Sequence, residues 1–318
     1  MGLLVNGEWK DQWYDTSKDG RFQRSESAFR NWVTADGEAG ESGQGGFKAE
    51  SGRYHLYVSL ACPWAHRTLI LRQLKGLAEH ISVSVVHPHM LENGWQFGGD
   101  FDTPDDLPLG DTLFGSDYMH QIYTRAMPDY SGRVTVPVLW DKHRNTIVSN
   151  ESSEIIRMFN SAFNAVTGNN ADFYPEPLRQ QVDELNERVY HNVNNGVYKA
   201  GFATTQSAYE EGVMPLFETL DWLEERLQNN GPYLLGAEQT EADWRLFTTL
   251  YRFDPVYVGH FKCNLKRIAD YPALSAYMQR LLAEPGVAET CDLGHIKEHY
   301  YYSHTSINPY RIVPLGPA

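Results

Sequence analysis

The sequence predicts an α/β domain followed by an all-α domain, and three observations carry that fold class. An alternating run at Tyr54–Val58 and a second at Ile81–Val86 bracket a helical stretch, the strand–helix–strand order of a parallel βαβ unit. Two further strand-like runs, Val134–Trp140 and Thr146–Ser149, flank the polar turn Asp141–Asn145 and lead into a helix. From residue 178 onward the apolar residues change period and fall on helical stripes.

In chain order, residues 1–52 read as an irregular extension: Trp9, Trp13, Tyr14, Phe22, Phe29 and Trp32 are scattered among glycines, serines and charges, and the run Gly37–Gly46 cannot build a regular element. The α/β domain spans 53–165. Its first helix opens at Pro63, runs to about Leu74 and stops at Gly76. An insertion at about 87–130, rich in Gly, Asp and Pro, carries one helical candidate at Asp117–Ala126. Pro137 would mark its strand as an edge, because proline cannot donate to the ladder, and Val136-Pro137 is a candidate cis bond. Ser149–Glu154 begins a helix with Ile155, Ile156 and Phe159 at helical spacing.

The stretch 166–177 is a linker, and 178–318 forms the all-α domain. Leu178, Val182, Leu185, Val189, Val193 and Val197 make one stripe; Val213, Leu216, Phe217, Leu220, Leu223 and Leu227 make another. Thr240-Glu-Ala-Asp243 starts a helix as a capping box, and further helices cover 274–283 and 292–302. Trp222 and Trp244 read as core.

Composition narrows the function classes. A chain of 318 residues with 42% hydrophobic content is long enough for two cores. A formal net charge of −14 argues against a nucleic-acid partner, which needs a basic footprint. No apolar run reaches the roughly 20 residues that span a bilayer, and Met1–Asn6 leads directly into Gly-Glu-Trp-Lys, so a cytoplasmic, membrane-free protein is expected. Cys62, Cys263 and Cys291 are odd in number and far apart, which suggests neither a disulfide framework nor a zinc cluster. His295-Ile-Lys-Glu-His299 matches an inverted zinc-peptidase pattern, but no further ligand or companion motif accompanies it, and no metal is expected.

The chemistry points to Cys62. It stands at the end of a strand and immediately before Pro63, where unpaired helix N–H groups and the positive dipole end face its sulfur. A free cysteine near pKa ~8.5 can fall to roughly 3.5–7.5 in such a place. In Cys62-Pro-Trp-Ala65 there is one sulfur, so an internal dithiol cycle is excluded, while attack on a bound thioether or disulfide is open.

The residues Tyr57-Val-Ser-Leu-Ala-Cys-Pro-Trp-Ala-His-Arg67, Leu91-Glu-Asn-Gly-Trp95, Arg133-Val-Thr-Val-Pro137, Asn150-Glu-Ser152, Asn195-Gly-Val-Tyr-Lys-Ala-Gly201, Arg252-Phe-Asp-Pro-Val-Tyr257 and His299-Tyr-Tyr-Tyr-Ser-His304 resemble the glutathionyl-hydroquinone reductases, the Xi class of glutathione transferases. The resemblance implies the glutathione transferase fold, with a thioredoxin-like first domain. It implies a cytoplasmic homodimer that uses glutathione as co-substrate to reduce glutathionyl-hydroquinones through a mixed disulfide on Cys62. It further implies that Trp95, Arg133, Val134, Thr135, Val136, Glu151 and Ser152 hold glutathione. Val136 would offer its backbone to the peptide, while Ser152 and the helix start would receive the γ-glutamyl carboxylate and Glu151 its ammonium. Tyr198 matches the family's acid/base tyrosine, on a helix weakened by Asn194-Asn-Gly196, and Tyr257 and Tyr300 match two tyrosines whose hydroxyls bond the charged sulfur. A cysteine-type thiol transferase or dehydroascorbate reductase would need the thiolate but no ring-protonating phenol. A non-catalytic glutathione- or quinol-binding protein would not need the thiolate.

Overall fold

The computed structural model describes residues 2–14, 16 and 19–317. They fall into two compact units: the described residues of Met1–Trp13, Ser25–Ala171 and Glu289–His299, and those of Tyr14–Arg24, Asp172–Ala288 and Tyr300–Ala318. The crossing at Ala171–Asp172 lies inside the linker read from sequence. Two other stretches change side: Tyr14–Arg24 joins the helical unit and Glu289–His299 the α/β unit.

In the α/β unit, β1 (Leu3–Val5) and β2 (Glu8–Lys10) form a hairpin turned at Asn6-Gly7, both at positive φ, and β1 also pairs with a later strand. This corrects the reading of the extension as irregular throughout. The Asn-Gly dipeptide is the favoured two-residue hairpin turn, but each flanking strand has only 3 residues, too few to show a period.

The central sheet is built from β3 (Tyr54–Val58) and β4 (Ser82–Val85), which are parallel and joined by α1 (Pro63–Leu74). All of β3 is buried, so its alternation marks no wet face. His55 bonds Ser82 Oγ through Nδ1 at 2.7 Å while its Nε2 is buried without a partner among the described residues, and Tyr57 donates to Asp111 Oδ1 at 3.0 Å. The insertion holds the ribbon of β5 (Met90–Leu91) and β6 (Gly94–Trp95), then α2 (Met119–Ala126); just beyond it β7 (Gly132–Arg133) pairs with β1.

The hairpin that follows is β8 (Val138–Asp141) and β9 (Thr146–Ser149), in sheet order β4-β3-β8-β9. The strand therefore starts after Pro137 and lies inside the sheet, not at its edge. Proline costs no ladder hydrogen bond where it precedes the strand. Val136-Pro137 is cis. Next come α3 (Ser152–Ser161), which packs on α1, and the short α4 (Asn164–Thr167).

In the helical unit, the first stripe is broken into α5 (Arg179–Val189), a π-helical turn at Tyr190–Asn194 and α6 (Gly196–Gly201). The 25-residue α7 (Gln206–Asn230) contains Pro215. Then α8 (Glu241–Arg252) opens with Thr240 N donating to Asp243 Oδ2 at 2.7 Å and continues into a π turn at Phe253–Tyr257. α9 (Pro272–Leu282) follows. Trp244 is fully buried. Trp222 is not core: it is half-exposed, with the guanidiniums of Arg188 and Arg226 at 3.8 and 5.5 Å from its ring, a cation–π pairing that keeps both charges wet.

The chain then returns to the α/β unit through α10 (Leu293–Lys297) and leaves it in a third π turn, Glu298–Tyr302. Among the described residues no helix is long and apolar enough to cross a membrane.

Candidate active site

Cys62 is the residue before the first turn of α1, in an extended conformation, with Pro63 as the first helical residue. Its N–H bonds Ser59 O at 3.2 Å, and its carbonyl accepts from His66 N at 2.9 Å, so strand, turn and helix hold it from both sides. Ser59 also takes the Ala61 N–H on its hydroxyl at 3.2 Å. The thiol is half-buried and not in a disulfide, and Sγ donates to Val136 O at 3.5 Å. A helix start favours the thiolate form of a cysteine, and an extended backbone can take a peptide by strand-like hydrogen bonds.

The other expected glutathione contacts lie in the same unit. Val134 and Val136 bury their side chains, and the Thr135 backbone pairs with Tyr123, whose hydroxyl receives Thr135 N–H at 3.2 Å. Glu151 caps α3: Oε1 accepts from Ser153 N at 3.0 Å and Ser153 Oγ at 2.7 Å, and Oε2 accepts from Ser27 Oγ at 3.0 Å. Burial pushes its carboxyl pKa up, but those hydrogen bonds and the Arg67 charge outweigh it, leaving the group below the ordinary range and anionic. Ser152 is the buried first residue of α3, at the donor-rich end.

Trp95 and Arg133 sit differently from the other contacts. Trp95 is buried with its indole stacked on His299 at 4.7 Å, and His299 donates through Nδ1 to Pro88 O at 2.8 Å. Arg133 directs its guanidinium at Gln12 O and Trp13 O, tying down the end of the N-terminal stretch. His295, at the other end of the zinc-like pattern, is 3.5 Å from Ser59 Oγ, so the two histidines face different partners.

The three expected catalytic tyrosines converge in the helical unit. Tyr300 Oη lies 2.6 Å from Tyr198 Oη and 3.1 Å from Tyr257 Oη. Tyr198 is 9% exposed, Tyr300 1% and Tyr257 0%. Each is set by a π turn: Tyr198 follows the one at Tyr190–Asn194, Tyr257 ends the one at Phe253–Tyr257, and Tyr300 lies within the one at Glu298–Tyr302. An extra residue in a turn rotates the helix beyond it and re-aims its side chains. Buried Asn194 pins the first π turn by donating to Arg245 O at 3.1 Å and Thr249 Oγ1 at 2.8 Å.

Phe22, Phe202 and Phe261 wall the phenols, and Gly201 is required there because a Cβ would meet the Phe261 ring at 2.2 Å. Burial drives Tyr257 and Tyr300 well above the usual phenol range; the Tyr198 phenol adds to this and Arg252 opposes it. Both therefore stay protonated near neutrality. The Tyr300 hydroxyl thus lies between the other two and shares hydrogen bonds with both.

A thiol at the start of a βαβ helix in one unit, and a helical second unit carrying a phenol cluster, fit the glutathione transferase fold. In agreement, the glutathione S-transferase N-terminal domain matches residues 61–162 and the C-terminal domain residues 206–280. The glutathionyl-hydroquinone reductase YqjG of Escherichia coli is 58% identical over 318 residues, covering 100% of this chain and 95% of that protein. Its glutathione-bound structure superposes with a TM-score of 0.91 at 55% identity, covering 100% of this chain and 96% of that one. The glutathionyl-hydroquinone reductase PcpF of Sphingobium chlorophenolicum is 55% identical, covering 100% and 97%. A Xi-class transferase from Natrialba magadii has a TM-score of 0.91 at 47% identity, covering 100% and 94%. The chain belongs to the Xi class of glutathione transferases, the family of the glutathionyl-hydroquinone reductases.

Sequence reasoning did not single out Phe22 or Arg24, whose ring and guanidinium lie 6.3 and 5.2 Å from the Tyr198 ring. Both come from the extension, and no local pattern sets them apart from its other aromatics and charges.

Proposed function

We propose that this chain reduces glutathionyl-hydroquinones with glutathione, giving the free hydroquinone and glutathione disulfide. The Cys62 thiolate attacks the thioether sulfur while the ring carbon that loses sulfur gains a proton, supplied through Tyr198. The Cys62–glutathione disulfide so formed is resolved by the thiolate of a second glutathione, which returns Cys62 and releases glutathione disulfide. Tyr257 and Tyr300, held protonated by burial, supply hydrogen bonds that keep charge on sulfur and orient the Tyr198 hydroxyl.

The observation that carries this reading is the pairing of two chemistries in a chain of this family: a single free thiol at a helix start and a cluster of protonated phenols. Thiol exchange alone needs only the first. Val136 backbone, Glu151 and Ser152 receive the glutathione peptide and γ-glutamyl end; Val134, Thr135, Trp95 and Arg133 shape the pocket around them. In this reading the protein works as a cytoplasmic homodimer without a metal, with glutathione as co-substrate and no nucleic-acid or membrane partner; the net charge of −14 supports the absence of a nucleic-acid partner.

Mass spectrometry after incubation with a glutathionyl-hydroquinone tests the reaction. A glutathione adduct on Cys62, discharged by added glutathione with release of hydroquinone, is expected. Neither adduct nor hydroquinone would remove the reading, and turnover of small disulfides alone would leave a thiol transferase. Light scattering checks the dimer.

A further inference from the structure

The described residues of Tyr14–Arg24 group with the helical unit, and Phe22 and Arg24 reach the phenol cluster. The Phe22 ring is stacked with that of Tyr198 at 6.3 Å and tilted against that of Phe202 at 5.4 Å. Half-buried Arg24 places its guanidinium carbon 5.2 Å from the Tyr198 ring centroid and 5.7 Å from that of Phe22. Its Nε also donates to Asn195 Oδ1 at 3.4 Å, and Asn195 O accepts the Tyr198 N–H at 3.1 Å. One side chain thus grips both the Tyr198 ring and the turn that starts its helix. Further out, the segment is anchored by Arg21 on Glu211 at 2.7 Å and by Thr204 N donating to Gly20 O at 3.0 Å.

We propose that Arg24 is a positioning residue for the reduction, holding the Tyr198 ring and stabilising the negative charge that its oxygen gains as it gives up a proton. This rests on the reading of Tyr198 as the acid. A cation over an aromatic face is attracted by the ring's negative quadrupole, and the attraction grows when the phenol becomes a phenolate. The phenols around Tyr198 are buried and supply hydrogen bonds, not countercharge. The extension is therefore part of the catalytic apparatus.

The test compares Arg24→Gln and Arg24→Lys on two substrates, a glutathionyl-hydroquinone and the mixed disulfide of glutathione with 2-mercaptoethanol. Arg24→Gln is expected to lower kcat on the thioether by about 10-fold, within the range of a partly desolvated cation–π contact, with KM little changed. The disulfide needs no ring protonation and should be turned over as before. Arg24→Lys, which keeps the charge, should recover most of the loss. In a Tyr198→Phe background Arg24→Gln should cost nothing more. Equal losses on both substrates, no recovery with Lys, or full additivity with Tyr198→Phe would overturn the proposal.

A second readout does not depend on turnover, so it separates failure of this inference from failure of the assigned reaction. The tyrosinate absorbance difference between the parent protein and Tyr198→Phe reports Tyr198 ionisation. The other ionisable groups packed here are Tyr257 and Tyr300 on Tyr198, His260 and His304 on Tyr300, and Arg252, whose charge both buried phenols feel. None of these is altered by the Arg24 variants. The difference midpoint should move to higher pH in Arg24→Gln and return in Arg24→Lys, and an unmoved midpoint would overturn the proposal.

Discussion

Replacing Tyr198 by Phe separates cleavage of an aromatic thioether from ordinary thiol exchange. The substitution removes one oxygen and leaves the ring, so the contacts with Phe22, Phe202 and Phe261 persist. Tyr300 loses its 2.6 Å partner but keeps Tyr257 at 3.1 Å. One neutral hydrogen bond lost with its neighbour still partly satisfied costs about 0.5–1.5 kcal/mol of stability, a shift of a few degrees in Tm. The effect on chemistry is larger. General acid assistance is worth about 10²–10⁴-fold, equivalent to roughly 3–5 kcal/mol of barrier. Since departing carbon must be protonated and a departing thiolate need not be, the fall should appear in kcat for a glutathionyl-hydroquinone. A small glutathione mixed disulfide should be almost unaffected. Both rates belong on one preparation, with hydroquinone release followed by chromatography and a glutathione titration to exclude a distorted site. Equal losses on the two substrates would refute the assignment of Tyr198 as the acid.

Three further outcomes are expected. Cys62→Ser should abolish turnover of both substrates while circular dichroism and glutathione binding stay near the parent's, because the hydroxyl is close in size but not a competent exchange nucleophile; substantial residual turnover would sink the covalent route. Cys263→Ser with Cys291→Ser should leave activity per folded molecule unchanged. Cys263 is buried with its thiol pKa pushed far up, and a one-thiol cycle needs no resolving sulfur, so a large loss at unchanged stability would revive a dithiol scheme. Glu151→Gln should weaken glutathione binding and lower stability at neutral pH. The native carboxyl titrates below its unfolded value of 4.5, so its stabilisation is present above that pH and is lost as pH falls through the native pKa. Denaturant midpoints of the two proteins should therefore converge in acid, and a gap that stays constant with pH would exclude this origin.

The sequence by itself determined the elements whose cause is local. The strand-to-turn-to-helix placement of Cys62 follows from an apolar run and from Pro63, whose fixed φ suits a first helical turn. The end of α1 at Leu74 follows from Gly76, and the start of α8 from the Thr240–Asp243 cap. The motifs that resemble the Xi class also span most of the chain, so the two-domain class was legible before any coordinate.

Tertiary structure decided what depends on packing between distant residues. Pro137 looked like an edge marker because the pattern could not say that pairing begins one residue later, at Val138. Trp222 read as core, but which faces of a helix are covered depends on the neighbouring helices, and there it meets two arginines. The π turns leave no period of their own: one extra residue costs backbone geometry that only packing, such as the Asn194 bonds to α8, can offset. The phenol cluster joins residues separated by 102 and 43 positions, and Arg24 reaches Asn195 across 171. A window of sequence reports which face of a segment is apolar; which side chains meet is settled by how the loops close and the helices pack.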